Sequence, residues 1–314
     1  MSKNNRNNRA KSRRGLSLVI LSLLGVLSAT AQAGSFEFGS GNMQLQGGFL
    51  GLDTEISGPI TTYTIRDNHN QILESNWFYS YYLTQYSGQS LQAVGTEVTA
   101  SAGGLIETPL TDYDVVSVDA QAGFGYDFYS LGEHEYLGIG VVLGIATPYI
   151  ENSGSDSGSS GGSSSSASST PVPVPIGTTE TVDFLESTTE FMGYNLGLKL
   201  AGSKALGPYA SVYADVSYAW QTMQVTNKTL NFKTTTDGYY MNTNVGVRYT
   251  PIKTKVDAGI MTLDPSLYFT FGVNQSELVL KDLNIDISGV SFAVDSANLR
   301  SSTTSLYLGV GYSF

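Results

Sequence analysis

Residues 303–314 read TTSLYLGVGYSF, and the alternation in this stretch decides the fold class. Thr304, Leu306, Leu308, Val310, Tyr312 and Phe314 form one set; Thr303, Ser305, Tyr307, Gly309, Gly311 and Ser313 form the other. A period of two puts successive side chains on opposite faces of a strand. One face is apolar and ends in two aromatics, while the other is small or polar. C-terminal segments commonly fray, yet this one stays apolar to Phe314.

The same alternation repeats upstream. From Asp114, Val116, Val118, Ala120, Ala122, Phe124, Tyr126 and Phe128 oppose Ser117, Asp119, Gln121, Gly123, Gly125 and Asp127. Leu137, Ile139, Val141, Leu143 and Ile145 oppose Gly138, Gly140, Val142, Gly144 and Ala146. Similar strands are expected around 192–200, 212–221, 239–249 and 267–274. In a soluble sandwich the polar faces would carry many charges. Here they are mostly Gly, Ser, Asn, Thr and Tyr, and the apolar faces often end in Tyr or Trp. That pattern suits a lipid-facing band with interfacial aromatic girdles. The expected girdle is Trp77, Tyr126, Phe128, Tyr149, Tyr218, Trp220, Tyr249 and Tyr312.

The closing stretch resembles the last strand of bacterial outer-membrane β-barrels, whose terminal aromatic is read by the barrel-assembly machinery. The resemblance implies an all-β, transmembrane, up-and-down antiparallel barrel over residues 34–314, with Tyr312 and Phe314 as the assembly signal. Backbone groups at membrane depth must all be paired, so such a sheet closes on itself. About ten strands are expected, with eight and twelve as alternatives.

The N-terminus points to export. Lys3, Arg6, Arg9, Lys11, Arg13 and Arg14 precede an apolar run over Gly15–Leu27 and the small-x-small site Ala31-Gln32-Ala33. Residues 1–33 are therefore expected to be a cleaved signal peptide. They contain six of the 16 Lys/Arg and none of the 27 Asp/Glu, leaving 10 basic and 27 acidic residues and a net charge near −17. That balance argues against nucleic acid. With no Cys, neither disulfides nor thiolate metal sites can form.

The first hundred residues alternate less regularly, and no face of 91–101 is clearly apolar. A first strand is expected over 42–56, with Met43, Leu45 and Phe49 on its apolar face. A polar loop follows to Ser75, with Asp67-Asn68-His69-Asn70 as its turn. Two short strands, 76–86 and 91–101, then flank Ser87-Gly88-Gln89. Long links are expected after strands one, five, seven and nine, and short ones after two, four and six, so both termini should face the periplasm. The longest link, 152–179, holds SGSDSGSSGGSSSSASST and PVPVP, whose composition builds no core.

Candidate chemistry is sparse. Some barrels of the resembled class are hydrolases that use Asp/His or Ser/His, and His69 beside Asp67 could supply such a base. The segment is also ordinary turn composition, and a turn is expected. His134, between Glu133 and Glu135, is expected in a solvated hairpin. Inward positions carry Asp119, Asp127, Lys199, Asp215 and Arg248. Lys199, Asp127 and Arg248 are expected to share a low level, with Asp119 and Asp215 above. The set reads either as ion pairs filling a small lumen or as a selectivity ring. The inward Gly and Ser of the 137–149 and 192–200 strands suggest some opening of the lumen.

The expected function is a porin-like channel for small solutes with weak cation preference. The alternatives are a non-conducting surface barrel or adhesin acting through its loops and, third, an outer-membrane hydrolase. No catalytic residue, metal or cofactor is expected. The expected partners are outer-membrane lipid and lipopolysaccharide, and the assembly machinery during biogenesis; oligomeric state stays open.

Overall fold

The computed structural model describes residues 34–49, 52–72, 75–95, 98–100, 104–106, 112–131, 135–152, 189–227, 232–252, 256–257, 262–263, 267–281, 284–287, 290–293 and 299–312. Ten long strands make the barrel: β1 (Gly34–Phe49), β2 (Leu52–Gln71), β3 (Trp77–Gly95), β4 (Asp112–Ser130), β5 (Tyr136–Ala146), β6 (Thr189–Ala205), β7 (Ala210–Asn227), β8 (Phe232–Tyr249), β9 (Leu267–Lys281) and β10 (Leu299–Tyr312). Each pairs antiparallel with the next in sequence. β10 pairs with β1 from Gly34↔Tyr312 to Gly47↔Leu299, which closes the cylinder. Thr147-Pro148 interrupts β5, since proline cannot donate to a ladder. Tyr149–Asn152 then continues between the same two neighbours, β4 and β6.

Both described chain ends lie at one rim, called here the terminal end; the opposite rim is the distal end. Short two-stranded ribbons join 98–100 to 104–106, 256–257 to 262–263, and 284–287 to 290–293. Neither Lys255–Leu263 nor Leu278–Ile287 supplies a further span, which removes the twelve-strand alternative.

The strand count agrees with the sequence reading, but the first three strands are divided differently. The expected strand over 42–56 is the end of β1 plus the start of β2, joined by a tight reversal where Phe49 pairs with Leu52. The expected polar loop to Ser75 is mostly β2. The two expected short strands are one, β3, and Ser87-Gly88-Gln89 is no turn: the β3–β4 register slips between Gly88 and Leu91. Asp67–Asn70 is a bulge in the β2–β3 ladder, not a turn. Links after β1 and β7 are also short, because β7 and β8 pair to Asn227↔Phe232.

A change of solvent along the strands accounts for much of the misdivision. Between the two rims the outward face changes character. Leu137, Ile139, Val141, Leu143, Leu196, Leu198, Phe269, Phe271, Leu306 and Leu308 face outward and are well exposed. Closer to the distal rim the sense reverses. On β1, Met43 and Leu45 point inward and are buried, while Gln44 and Gln46 face out. With Ile60, Leu91, Val115, Met223 and Leu280 they form an apolar core inside the distal part of the barrel. Lipid surrounds one section of the strands and water the other, so the apolar face must switch sides.

The expected girdle residues Trp77, Tyr126, Phe128, Tyr218, Trp220, Tyr249 and Tyr312 all face outward. Trp77 stacks on Phe124 at 5.1 Å and meets Tyr126 edge-on at 5.2 Å. The Tyr149 side chain, His134, Phe314, residues 1–33 and most of the Ser-rich link lie outside the described residues.

Candidate functional site

The candidate site is the barrel interior, which stacks in tiers. Period-two geometry sends every second residue of each strand inward, so each strand adds one group per tier.

The lowest tier, toward the terminal end, holds His69. Nε2 of His69 lies 2.7 Å from Oδ2 of Asp127. Tyr136 stacks on the imidazole at 3.6 Å and 12°, and Phe78 lies 4.8 Å away. The two paired side chains are 2% and 0% exposed. His69 is thus not in an external turn. The bulge turns it inward, along with Asp67, whose Oδ1 accepts the His69 backbone N–H at 3.3 Å. General-base work requires contact with a substrate, and this imidazole is walled off by two aromatic rings. Arg248 lies over the Tyr268 ring at 4.1 Å.

The middle tier is a charge network. Arg66 Nε sits 3.2 Å from Glu37 Oε2, an ion pair off hydrogen-bond geometry, with both side chains 2% exposed. Arg66 also donates to Asn274 Oδ1 at 3.1 Å and lies between the Tyr82 and Tyr307 rings, at 5.6 and 5.7 Å. Lys199 Nζ is 3.5 Å from Asp215 Oδ1 and donates to Ser80 Oγ at 3.3 Å. Asn244 donates to Asp215 Oδ2 at 2.9 Å, and the Tyr307 hydroxyl donates to Asn244 Oδ1 at 2.7 Å. The Tyr213 and Tyr307 hydroxyls are 2.7 Å apart. Lys199 therefore shares a level with Asp215, not with Asp127 and Arg248 as the sequence suggested.

The upper tier crosses the whole lumen. Tyr82 on β3 donates to the Tyr240 hydroxyl on β8 at 3.1 Å, and Tyr240 donates to Asp119 Oδ2 at 3.1 Å. In a ten-strand ring β3 and β8 are opposite walls, so this bond spans the diameter. A cavity of about 30 Å³ remains beside it, lined by Tyr86, Asp119, Tyr240, Ser276 and Thr303, among others. That holds a water molecule or two.

The inward glycines do not leave room. A Cβ at Gly246 or Gly272 would sit 2.8 or 2.5 Å from the Tyr307 hydroxyl, and one at Gly138 would sit 2.8 Å from the Phe78 ring. Glycine removes bulk from one strand so that an aromatic of another can cross the lumen.

All five charged residues read as inward, Asp119, Asp127, Lys199, Asp215 and Arg248, lie on the lumen face. Glu37, Arg66, Asp67 and His69 belong to the same interior; sequence reasoning missed Glu37 and Arg66 and set Asp67 and His69 in an external turn. The signal for Glu37 and Arg66 was present: Phe36 and Phe38 alternate with Glu37 and Gly39, and Ile60, Thr62, Thr64 and Arg66 fall two apart. Among the described residues no cluster of His, Asp and Glu is placed to hold a metal.

No family model matches the chain, and no curated protein does. Solved structures similar to it include the outer membrane protease OmpT from Escherichia coli, at 10% identity and TM-score 0.48, covering 90% of this chain and 96% of that one. The translocator domain of the autotransporter NalP from Neisseria meningitidis is 13% identical, with TM-score 0.32 and 98% coverage of both chains. The toluene transporter TodX from Pseudomonas putida is 10% identical, with TM-score 0.29, covering 91% of this chain and 90% of that one. By its own closed registers and outward apolar belt, the chain is a closed, ten-stranded antiparallel β-barrel of the membrane-spanning kind.

Proposed function

We propose that this protein is a closed, non-conducting outer-membrane barrel that acts through its external surface, with both termini toward the periplasm. The observation carrying this reading is the Tyr82–Tyr240 bond between opposite walls, above the Glu37–Arg66 and Lys199–Asp215 pairs. Barrels of about eight strands are filled by side chains, whereas 16–18 strands leave an aqueous channel. A porin-like channel would have to part this network. The distal links 96–111, 153–188 and 282–298 then face the outside and offer the surface for adhesion or envelope contacts. Export by a signal peptide cleaved before Gly34, and assembly through the Tyr312–Phe314 terminus, belong to the same proposal.

Planar-bilayer recording tests it. The expected result is no conductance steps under conditions where a porin conducts. Steps with a cation-favouring reversal potential, moved toward neutral by Asp119→Asn with Asp215→Asn, would put the channel in its place.

Deleting Ser153–Ser169 is expected to leave the heat-modifiable, compact gel band intact, since a Ser/Gly segment builds no core. Loss of that band would make the segment part of the folded barrel.

A further inference from the structure

We infer that the outer surface of β7–β10, just beyond the apolar belt, binds the phosphate-bearing headgroup of an outer-leaflet lipid. Residues 34–314 contain ten Lys/Arg. Arg66, Lys199 and Arg248 are lumenal, Lys204 lies at the terminal end, and Lys253 and Lys255 fall in the sequence of the β8–β9 link. The other four are Lys228 in the β7–β8 link, Lys233, Lys281 and Arg300. The remaining distal links contain no Lys or Arg. On a strongly acidic chain, the outward distal cations among the described residues, Lys233, Lys281 and Arg300, therefore fall in one sector.

The side chains form a ledge. Tyr218 meets Trp220 edge-on at 6.4 Å and stacks on Tyr239 at 5.6 Å. Tyr239 donates to Glu277 Oε1 at 3.4 Å, and Arg300 Nε lies 3.0 Å from the same oxygen. Lys281 Nζ sits 6.0 Å from the Tyr239 ring centre. Both cations lean toward the belt. Lys281 is opposite Asp237 in the ladder, but its amine lies over Tyr239, two residues nearer the belt. Arg300 is opposite Val279, but its guanidinium meets Glu277, again two residues nearer. Arg300 remains 55% exposed in this pairing, so most of its five donors are open to a second anion.

The occupant must touch both parts of the ledge. Trp220, Tyr218 and Val216 run down the outward face of β7 from the ledge into the belt, while on β9 and β10 the outward Gln275 and Thr304 lie between the cations and Val273 and Leu306. A molecule that reaches the cations while lying on this β7 column has acyl chains and an anionic head. A soluble anion would use only the upper half. Basic residues beside a membrane surface contribute enough to select such a head.

The test uses the full mature chain in detergent micelles. Trp77 and Trp220 are the two tryptophans, so Trp77→Phe leaves Trp220 on the ledge as the reporter. The probes are a bisphosphorylated, acylated glucosamine disaccharide, its dephosphorylated form, and inorganic phosphate. Saturable change in Trp220 emission is expected with the first probe alone. Lys281→Gln with Arg300→Gln should weaken it roughly thirtyfold, with compact gel migration retained, and Lys204→Gln should leave it unchanged. In the unsubstituted ledge, binding should weaken as salt rises from about 0.1 to 1 M, since the screening length falls from about 10 to 3 Å. Equal binding of the dephosphorylated lipid, displacement by inorganic phosphate alone, unchanged affinity in the double variant, or binding indifferent to salt would overturn the inference.

Discussion

Arg66→Met is expected to destabilise the barrel by about 3–5 kcal/mol, the range for removing one partner of a buried ion pair. Glu37 would keep only the Ser35 hydroxyl, which donates to Oε1 at 3.0 Å, in place of a guanidinium. The middle tier would also lose the Asn274 bond and the cation between two tyrosine rings. The loss arises from stranding a carboxylate, not from the worth of the pair itself. Glu37→Gln combined with Arg66→Met should therefore recover much of the stability, because no charge remains unpaired. Arg300→Met at the half-exposed Glu277 pair should cost no more than about 1 kcal/mol. Equilibrium unfolding in lipid vesicles measures all three. If Arg66→Met matches the parent, the middle tier is hydrated, and the closed-barrel reading rests on the Tyr82–Tyr240 bond alone.

The sequence was most legible where two solvents act on one strand. In β4–β10, lipid on one side and a packed lumen on the other enforce the alternation of Leu137, Ile139 and Val141 with Gly138, Gly140 and Val142. In β1 the same rule pointed the wrong way beyond the belt, because water outside makes Gln44 the outward residue and Met43 the core residue. An apolar side chain announces that it avoids water, without saying whether it meets lipid or core. Asp67–Asn70 read as a turn because these residue types favour turns and bulges alike. The Lys199–Asp215 pair needed register. The tight β6–β7 link places Lys199 opposite Ser217 and Asp215 opposite Ala201, which makes them diagonal neighbours. Counting back from that link would have found the pair. The Tyr82–Tyr240 contact could not be found this way, since it depends on closure of the whole ring.

Leu143→Arg is expected to cost about 2–4 kcal/mol, falling toward about 0–1 kcal/mol at the edges of the lipid band. Leu143 faces outward on β5, 62% exposed, opposite Ala122 on β4 and Leu196 on β6. Its neighbours on that face, Val141 and Leu196, are outward and apolar as well, so a guanidinium there has no partner and must reach past them for water. Thr304→Arg supplies the contrast. Thr304 also faces outward, but at the point on β10 where the face turns polar, opposite Asn42 and Gln275. An arginine there can reach the headgroup region along its own stem. The two variants add the same charge to the same outer surface and differ in depth. Unfolding in vesicles by denaturant should therefore separate them by at least about 1 kcal/mol. Equal stability of both variants and the parent would mean that β5 does not face lipid, and the position of the membrane belt on the barrel would have to be redrawn.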